Sequence, residues 1–269
     1  MKDLKITLVQ TKLFWENIPK NLEYFSDKLK AIRKNSTDLI LLPEMFSTGF
    51  TMNAKNLAEK MNGTAMKWMQ DVANSKNAVV CGSLIITEGG DYFNRLIWMS
   101  PDGTFKKYDK RHLFRLATEN DIYKAGAEKI IAEIKDWRIC PLVCYDLRFP
   151  VWSRNDALNK KYDVLIYVAN WPEKRVYAWK QLLIARAIEN QSYVIGLNRI
   201  GKDGNGFNHT GDSAAINFLG EKISKTKSSK ESVETISLSW KKLKEYRESF
   251  PALWMRMNLK SKTEYVILS

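Results

Sequence analysis

The sequence predicts an α/β fold built on mixed β-sheets, and three observations support that class. Short apolar runs alternate with helix-period segments from Leu4 to about Glu248. The first elements read strand, helix, strand, the order of a crossover unit with parallel strands. Apolar runs also stop abruptly on polar residues, at Glu44, Cys144 and Asn170. Ligand sites of α/β folds gather at such carboxyl ends of strands, so function is expected there.

Leu4 to Val9 has strand character, and the helix after it is marked by Ile18, Leu22, Phe25, Leu29 and Ile32. Asn17 is placed to cap that helix, with Pro19 in its first turn. Asp38 to Pro43 is again strand-like. Thr64 to Ala73 reads as a helix with Met66, Met69 and Val72 inward. Ala78 to Lys107 holds strands broken by Gly89-Gly90-Asp91 and Pro101-Asp102-Gly103, so antiparallel neighbours are expected, with Cys81 in the core. Arg115 to Gly126 is a loop, and Lys129 to Lys135 alternates like a strand. Ile139 to Val143 is a buried strand, followed past Phe149-Pro150 by a helix over Val151 to Leu158. Asp163 to Ala169 is another strand, Val176 to Asn190 a helix, and Tyr193 to Asn198 a strand. Gly201 to Gly211 reads as a loop, Ser213 to Leu219 and Val233 to Leu238 as a pair of strands, and Trp240 to Glu248 as a helix. No repeat or linker divides residues 1–250, which read as one domain; residues 251–269 lose regular pattern and read as a tail.

Composition narrows the class. Of 269 residues 45% are hydrophobic, enough for a substantial core. Met1-Lys2-Asp3 leads straight into a strand without a signal pattern, and no apolar run is long enough to span a membrane. Three cysteines do not make a disulfide framework, which suits a reducing cytoplasm. Two histidines without paired Cys/His spacing do not make a zinc site. The formal charge of +13 is spread from Lys2 to Lys262 and interleaved with acids, the pattern of a solvated basic surface that draws small anions. A nucleic-acid-binding protein, the reading from a different class, would gather its basic residues with exposed aromatics. Only Lys106 to Arg115 does so.

Cys144 stands where a strand turns towards a helix, a place that holds a side chain rigidly and leaves backbone N–H groups facing a ligand. A thiolate there attacks carbonyl carbon readily. The competing reading is a small core residue. Cys140, on the same face by the period of two, is the rival nucleophile, but it lies inside the apolar run before Pro141 and reads as core.

Three stretches stand out in order: L-L-P-E-M-F-S-T-G-F (residues 41–50), K-Y-D-K-R-H-L-F (107–114) and P-L-V-C-Y-D-L-R-F-P (141–150). Together they resemble the nitrilase (carbon–nitrogen hydrolase) superfamily, over about residues 4 to 250. The resemblance implies a four-layer α-β-β-α sandwich with two mixed β-sheets. It also implies a Glu-Lys-Cys triad, matched here by Glu44, Lys110 and Cys144. In that chemistry Cys144 forms a thioester, Glu44 carries the proton, and Lys110 with the backbone N–H of Tyr145 stabilises the oxyanion. Each residue also has an ordinary reading, Glu44 as a helix-start carboxylate and Lys110 as a solvated lysine. The second glutamate that family members carry after the lysine falls at Glu119, expected to hold Lys110 or the substrate.

The C-Y-D-L-R-F-P, N-W-P and K-R-H-L-F-R strings resemble the omega-amidase branch, particularly bacterial members of the 2-oxoglutaramate amidase type. After Phe114 the chain reads R-L-A-T instead of the acidic string of eukaryotic members. The resemblance implies hydrolysis of 2-oxoglutaramate and 2-oxosuccinamate; another small amide or an N-carbamoyl compound is the alternative. Arg148, His112, Arg115 and Tyr145 lie close enough to the motifs to bind a substrate carboxylate. Phe50 and Trp171 are expected to wall the pocket or to fill core. No cofactor is implied: no phosphate-binding glycine motif stands in its context. Relatives in the superfamily commonly pair through helices flanking the active-site strands. A homodimer or higher homo-oligomer is therefore expected, with the apolar tail crossing onto a partner.

Overall fold

The computed structural model describes residues 2–155 and 162–253. Its first half runs β1 (Leu4–Gln10), α1 (Ile18–Leu29), β2 (Leu39–Leu41), α2 (Ala54–Leu57), α3 (Thr64–Lys76), β3 (Val79–Glu88), β4 (Asp91–Met99) and β5 (Phe105–Asp109). Then come α4 (Glu119–Ile122), β6 (Ala132–Ile134), β7 (Trp137–Val143), α5 (Pro150–Ser153), β8 (Val164–Ala169) and α6 (Val176–Asn190). The chain continues through β9 (Tyr193–Asn198), β10 (Ile200–Lys202), β11 (Asn208–Thr210), β12 (Ala214–Ile216), β13 (Ser232–Leu238) and α7 (Trp240–Ser249).

Two mixed sheets result, ordered β13-β1-β2-β3-β4-β5 and β12-β9-β8-β7-β6. Within each, the central β1-β2-β3 or β7-β8-β9 strands are parallel and the flanking pairs antiparallel. Alternation along the strands assigns the first sheet's two faces. Leu4, Ile6 and Leu8 share one core with Leu39, Leu41, Leu96 and Trp98, and this core runs through the second sheet to Trp179, Leu183 and Ala187 of α6. The opposite parity, Val9, Ile40, Val80 and Ile97, packs on Phe25 and Leu29 of α1 and Met66 and Met69 of α3. The layers are therefore helix, sheet, sheet, helix, the expected four-layer sandwich. Phe25 illustrates the packing: it is fully buried, with the Phe46 ring 5.6 Å away and nearly perpendicular.

Local signals behave as their chemistry requires. The Asn17 side chain caps α1 by accepting the Lys20 N–H at 3.1 Å, with Pro19 in the first turn. Gly89 and Gly90 close the β3–β4 hairpin at φ 62° and 87°, the two positive values that its tight turn demands.

Four expectations change. Arg115–Gly126, read as a loop, carries a tight turn at 115–117 and the single-turn helix α4, too short to show a period. Gly201–Gly211 is not all loop, because β10 and β11 form a short hairpin, with Gly201 opposite His209. Asp203 makes its turn by accepting the N–H groups of Asn205 and Phe207, both at 2.9 Å. Strands of three residues are too short to show a period. The two late strands do not pair with each other: β12 joins β9, and β13 crosses to β1 in the other sheet. Pairing follows which edge each apolar face can cover, which chain proximity does not reveal. The helix expected over Val151 to Leu158 is Pro150–Ser153 within the described residues. Arg154 turns extended and ends it; residues 156–158, like the tail from 254 on, lie outside the described residues. Leu253 is buried, and its N–H bonds the Gln191 side chain at 3.2 Å.

Candidate active site

Each motif residue sits just past the end of a strand, and the sandwich brings those ends together. β2 stops at Leu41, Leu42 still reaches the Cys81 carbonyl at 2.8 Å, and Pro43 ends the ladder before Glu44. The Met45 N–H then bonds the Ser83 hydroxyl oxygen at 2.8 Å, fixing a turn in which Met45 has φ 42°. Lys110 follows β5 and still donates its N–H to the Asn94 carbonyl at 3.0 Å. Gly126 returns over it, and a Cβ there would lie 2.2 Å from the Asp109 oxygen, so the approach requires glycine.

Cys144 leaves β7 at φ 43°, a left-handed conformation that costs a non-glycine residue about 1–2 kcal/mol. The tight turn Cys144–Arg148 is anchored through Asp146. One oxygen of Asp146 accepts the Val143 N–H at 3.1 Å and the Tyr108 hydroxyl at 2.7 Å. The other accepts the His112 N–H at 3.0 Å and contacts His112 Nδ1 at 2.8 Å. The abrupt turn also removes Cys144 from the period that was expected to align it with Cys140. Cys140 stays inside the ladder, paired with Leu165, in the core.

Glu44, Lys110 and Glu119 are buried together. Lys110 Nζ lies 2.9 Å from Glu44 Oε1, and 3.0 and 2.9 Å from Glu119 Oε1 and Oε2. Asn94 Nδ2 bridges the two carboxylates, at 2.8 Å from Glu44 and 3.1 Å from Glu119. Glu44 Oε2 accepts the Asn170 N–H at 2.8 Å, and Glu119 Oε2 the Phe114 N–H at 2.6 Å. Burial disfavours the Lys110 charge, but Glu119, Glu44 and Cys144 outweigh it, and its pKa lies above the ordinary value. Lys110 is therefore an ammonium. Burial, then the Glu44 charge, pushes the Cys144 thiol well up, with Lys110 pulling the other way, so the resting sulfur is protonated. Burial likewise raises Glu119, against the pull of Lys110.

A pocket of about 180 Å³ opens beside this cluster, below the roughly 300–1,000 Å³ of drug-sized sites, so its occupant is small. Its wall includes the direct neighbours of the cluster. Asn170 binds Glu44, Tyr145 follows Cys144, and the Phe50 ring lies 5.1 Å from Lys110 Nζ. Tyr145 stands in the first turn of its short helix, where a backbone N–H has no carbonyl one turn earlier to bond. Arg148 and Arg175 also line the pocket, resting on the rings of Trp171 and Phe114 at 5.1 and 4.9 Å. Among the described residues neither forms an ion pair. Burial and the Arg148 charge lower the pKa of Arg175. With Lys174 beside them, the two guanidiniums outnumber Asp203, the one carboxylate of the lining, and favour an anion.

Of the residues expected to bind substrate, Phe50, Arg148 and Trp171 line the pocket, as does Tyr145. His112 does not: it is held by Asp146 and stacks on Phe149 with ring centroids 3.6 Å apart. Arg115 is exposed and lies outside the lining, which Phe114, Leu116 and Ala117 supply at that point. A tight turn at 115–117 carries its side chain away from the wall. Asn94 and Arg175 were missed. Arg175 follows a strand end closely enough for the same rule to have found it; Asn94, in the middle of β4, gave no local signal.

The carbon–nitrogen hydrolase family model matches residues 5–248. The chain is 48% identical to the omega-amidase YafV of Escherichia coli over 254 residues, covering 94% of this chain and 96% of that one. It is 36% identical to the 2-oxoglutaramate amidase of Bacillus subtilis over 191 residues, covering 70% and 71% of the two chains. XC1258 from Xanthomonas campestris, a CN-hydrolase superfamily protein crystallised with an arsenic adduct in its active site, superposes with a TM-score of 0.92 at 42% identity, covering 94% and 97% of the chains. Nit3 of Saccharomyces cerevisiae, at 20% identity, shares the fold with a TM-score of 0.80, covering 93% and 95%. The fold, the convergence of its strand ends and these matches lead to one conclusion: the chain belongs to the carbon–nitrogen hydrolase family.

Proposed function

We propose that the chain is an omega-amidase that hydrolyses the terminal amide of 2-oxoglutaramate and 2-oxosuccinamate, releasing the 2-oxo dicarboxylate and ammonia. The observation that carries the substrate class is the pair of guanidiniums, Arg148 and Arg175, that border the pocket beside Cys144 and form no ion pair among the described residues. They would hold the substrate carboxylate and so present the far amide to the sulfur. The similarity to the amidases of Escherichia coli and Bacillus subtilis supports the same reading.

The reaction follows from the charges. Cys144 Sγ attacks the amide carbon as its proton passes to Glu44, and the carbonyl oxygen becomes an oxyanion. Lys110 and the Tyr145 N–H stabilise that oxygen; losing one such donor costs roughly 100- to 1,000-fold in turnover. Glu44 returns the proton to the amide nitrogen, the carbon–nitrogen bond breaks, and ammonia leaves a Cys144 thioester. Water then attacks the thioester while Glu44 takes its proton. The acid departs, and the sulfur is reprotonated. Glu119, bonded to Lys110 on both oxygens, holds the ammonium in place.

The test is ammonia release from 2-oxoglutaramate by wild type, Cys144→Ala, Arg148→Ala and Arg175→Ala, with glutamine and asparagine as controls. Cys144→Ala should be inactive. Each arginine variant should lose roughly 10- to 100-fold in kcat/KM, the worth of a charge-assisted hydrogen bond. Turnover on an N-carbamoyl compound but not on 2-oxoglutaramate would refute the substrate assignment, and full activity in Cys144→Ala would refute the nucleophile.

Among the described residues no helix is long and apolar enough to cross a membrane. We place the enzyme in the cytoplasm, as its cysteine usage suits, and as a homodimer or higher homo-oligomer. Exposed Val151 and Tyr177, on α5 and α6, support self-association; a monomer by light scattering at micromolar concentration would count against it.

A further inference from the structure

We infer that Asn94 is a positioning residue that directs the nucleophile's proton onto one particular oxygen of Glu44, Oε2; this rests on the thiol chemistry proposed above. Asn94 is buried in the middle of β4, and its orientation is fixed by a chain of donors. The Met45 N–H donates to Ser83 Oγ at 2.8 Å, and the Ser83 hydroxyl donates in turn to Asn94 Oδ1 at 2.8 Å. The amide nitrogen therefore faces the carboxylates, and both its protons are used, on Glu44 Oε1 and Glu119 Oε1. The reverse orientation would set Oδ1 against two carboxylate oxygens.

The consequence lies in lone pairs. A carboxylate oxygen accepts about two hydrogen bonds. Glu44 Oε1 already takes Asn94 Nδ2 at 2.8 Å and Lys110 Nζ at 2.9 Å. Among the described residues Oε2 takes the Asn170 backbone N–H, at 2.8 Å, and the Cys144 thiol also bonds the Glu44 carboxylate. The remaining acceptor site is on Oε2, so the proton from Cys144 lands there and is delivered from there to the departing amine. The only bond formed and broken at Glu44 is O–H. Without Asn94, Oε1 would regain an open site, and the proton could rest on an oxygen from which it does not reach the leaving group.

Asn94 also gives the two carboxylates a neutral donor in common, beside the single ammonium of Lys110. Removing it takes a hydrogen-bond donor from the charged form of each carboxylate. The titratable groups around Glu44 are Lys110 from the end of β5, Glu119 from α4, Tyr123 just after α4, and Cys144 from the end of β7. None of these changes in the test.

The experiment measures Asn94→Ala and Ser83→Ala against wild type, with rates expressed per folded molecule, counted from the amplitude of the cooperative unfolding transition. That correction removes misfolded protein. The pH dependence is followed both for ammonia release and for alkylation of Cys144 by iodoacetamide. The expected result for Asn94→Ala is a kcat roughly 10- to 100-fold lower, with KM little changed. Its acid limb should move up by about one pH unit in both profiles. Ser83→Ala, which frees the amide to turn, should move both in the same direction by less. An unmoved acid limb in the soluble variants would overturn the inference, since a merely structural asparagine lowers only the active fraction. Alkylation needs no amide substrate. A wild type without turnover would therefore refute the amidase reading alone, while an unmoved alkylation profile would refute the role of Asn94 alone.

Discussion

Replacing Glu119 with glutamine keeps the shape of a fully buried side chain and removes its charge. The carboxylate accepts four hydrogen bonds: Lys110 Nζ on each oxygen at 3.0 and 2.9 Å, Asn94 Nδ2 at 3.1 Å and the Phe114 N–H at 2.6 Å. Every partner is a donor. Whichever way the glutamine amide turns, its NH₂ meets donors, either Lys110 with Phe114 or Lys110 with Asn94. Breaking a buried pair in this way costs about 3–5 kcal/mol. At roughly 2–4 °C per kcal/mol for a chain of this size class, the melting temperature should fall on the order of 10 °C. Lys110 also loses the largest of the charges that hold its pKa up, and with it the anchor that aims Nζ. Turnover per folded molecule should drop about 100-fold, the scale of a lost oxyanion donor. Calorimetry of Glu119→Gln beside steady-state ammonia release checks both halves. A variant with wild-type melting temperature refutes the account of the buried pair. Lower stability with full turnover refutes any role for Glu119 in aiming Lys110.

Two further outcomes follow from the same geometry. Asp146→Asn should melt several degrees lower and lose roughly 10- to 100-fold in kcat, because an amide cannot accept from both the Val143–Tyr108 and the His112 sides of the turn carrying Cys144; undiminished kcat would mean that the turn holds itself. His209, buried in the pocket wall, is pushed down to about 4 by burial and then by the Arg199 charge. Its folded value lies below its unfolded 6.5, so the stability it contributes is present above pH 6.5 and lost as pH falls towards 4. About 3 kcal/mol is at stake. Urea melts across that range should show the slope in wild type and lose it in His209→Gln.

Glu44, Cys144 and Asn170 were legible because their signal is local: an apolar run, a stop, a polar residue. Lys110 was different. Its cluster of basic residues reads as solvated, and only the family motif distinguished it, whereas in the fold it is buried between two carboxylates. His112 shows the reverse. Its place in the same motif suggested substrate, yet its hydrogen bonds with Asp146 and its stacking on Phe149 assign it to holding the Cys144 turn. Asn94 left no trace, since its meaning depends on Ser83, Glu44 and Glu119 arriving from three other segments.

The sequence by itself determined the α/β class, the order of the main strands and helices, the family and its three motif residues. These rest on period, turn chemistry and short strings, each written within a few neighbouring residues. Tertiary structure alone decided that β13 crosses to β1 while β12 joins β9, that Arg148 and Arg175 face one pocket, and that a neutral amide bridges Glu44 and Glu119. Such pairings minimise exposed apolar surface and unsatisfied charge over the whole chain at once. No local stretch carries that sum, so no local reading of the sequence contains it.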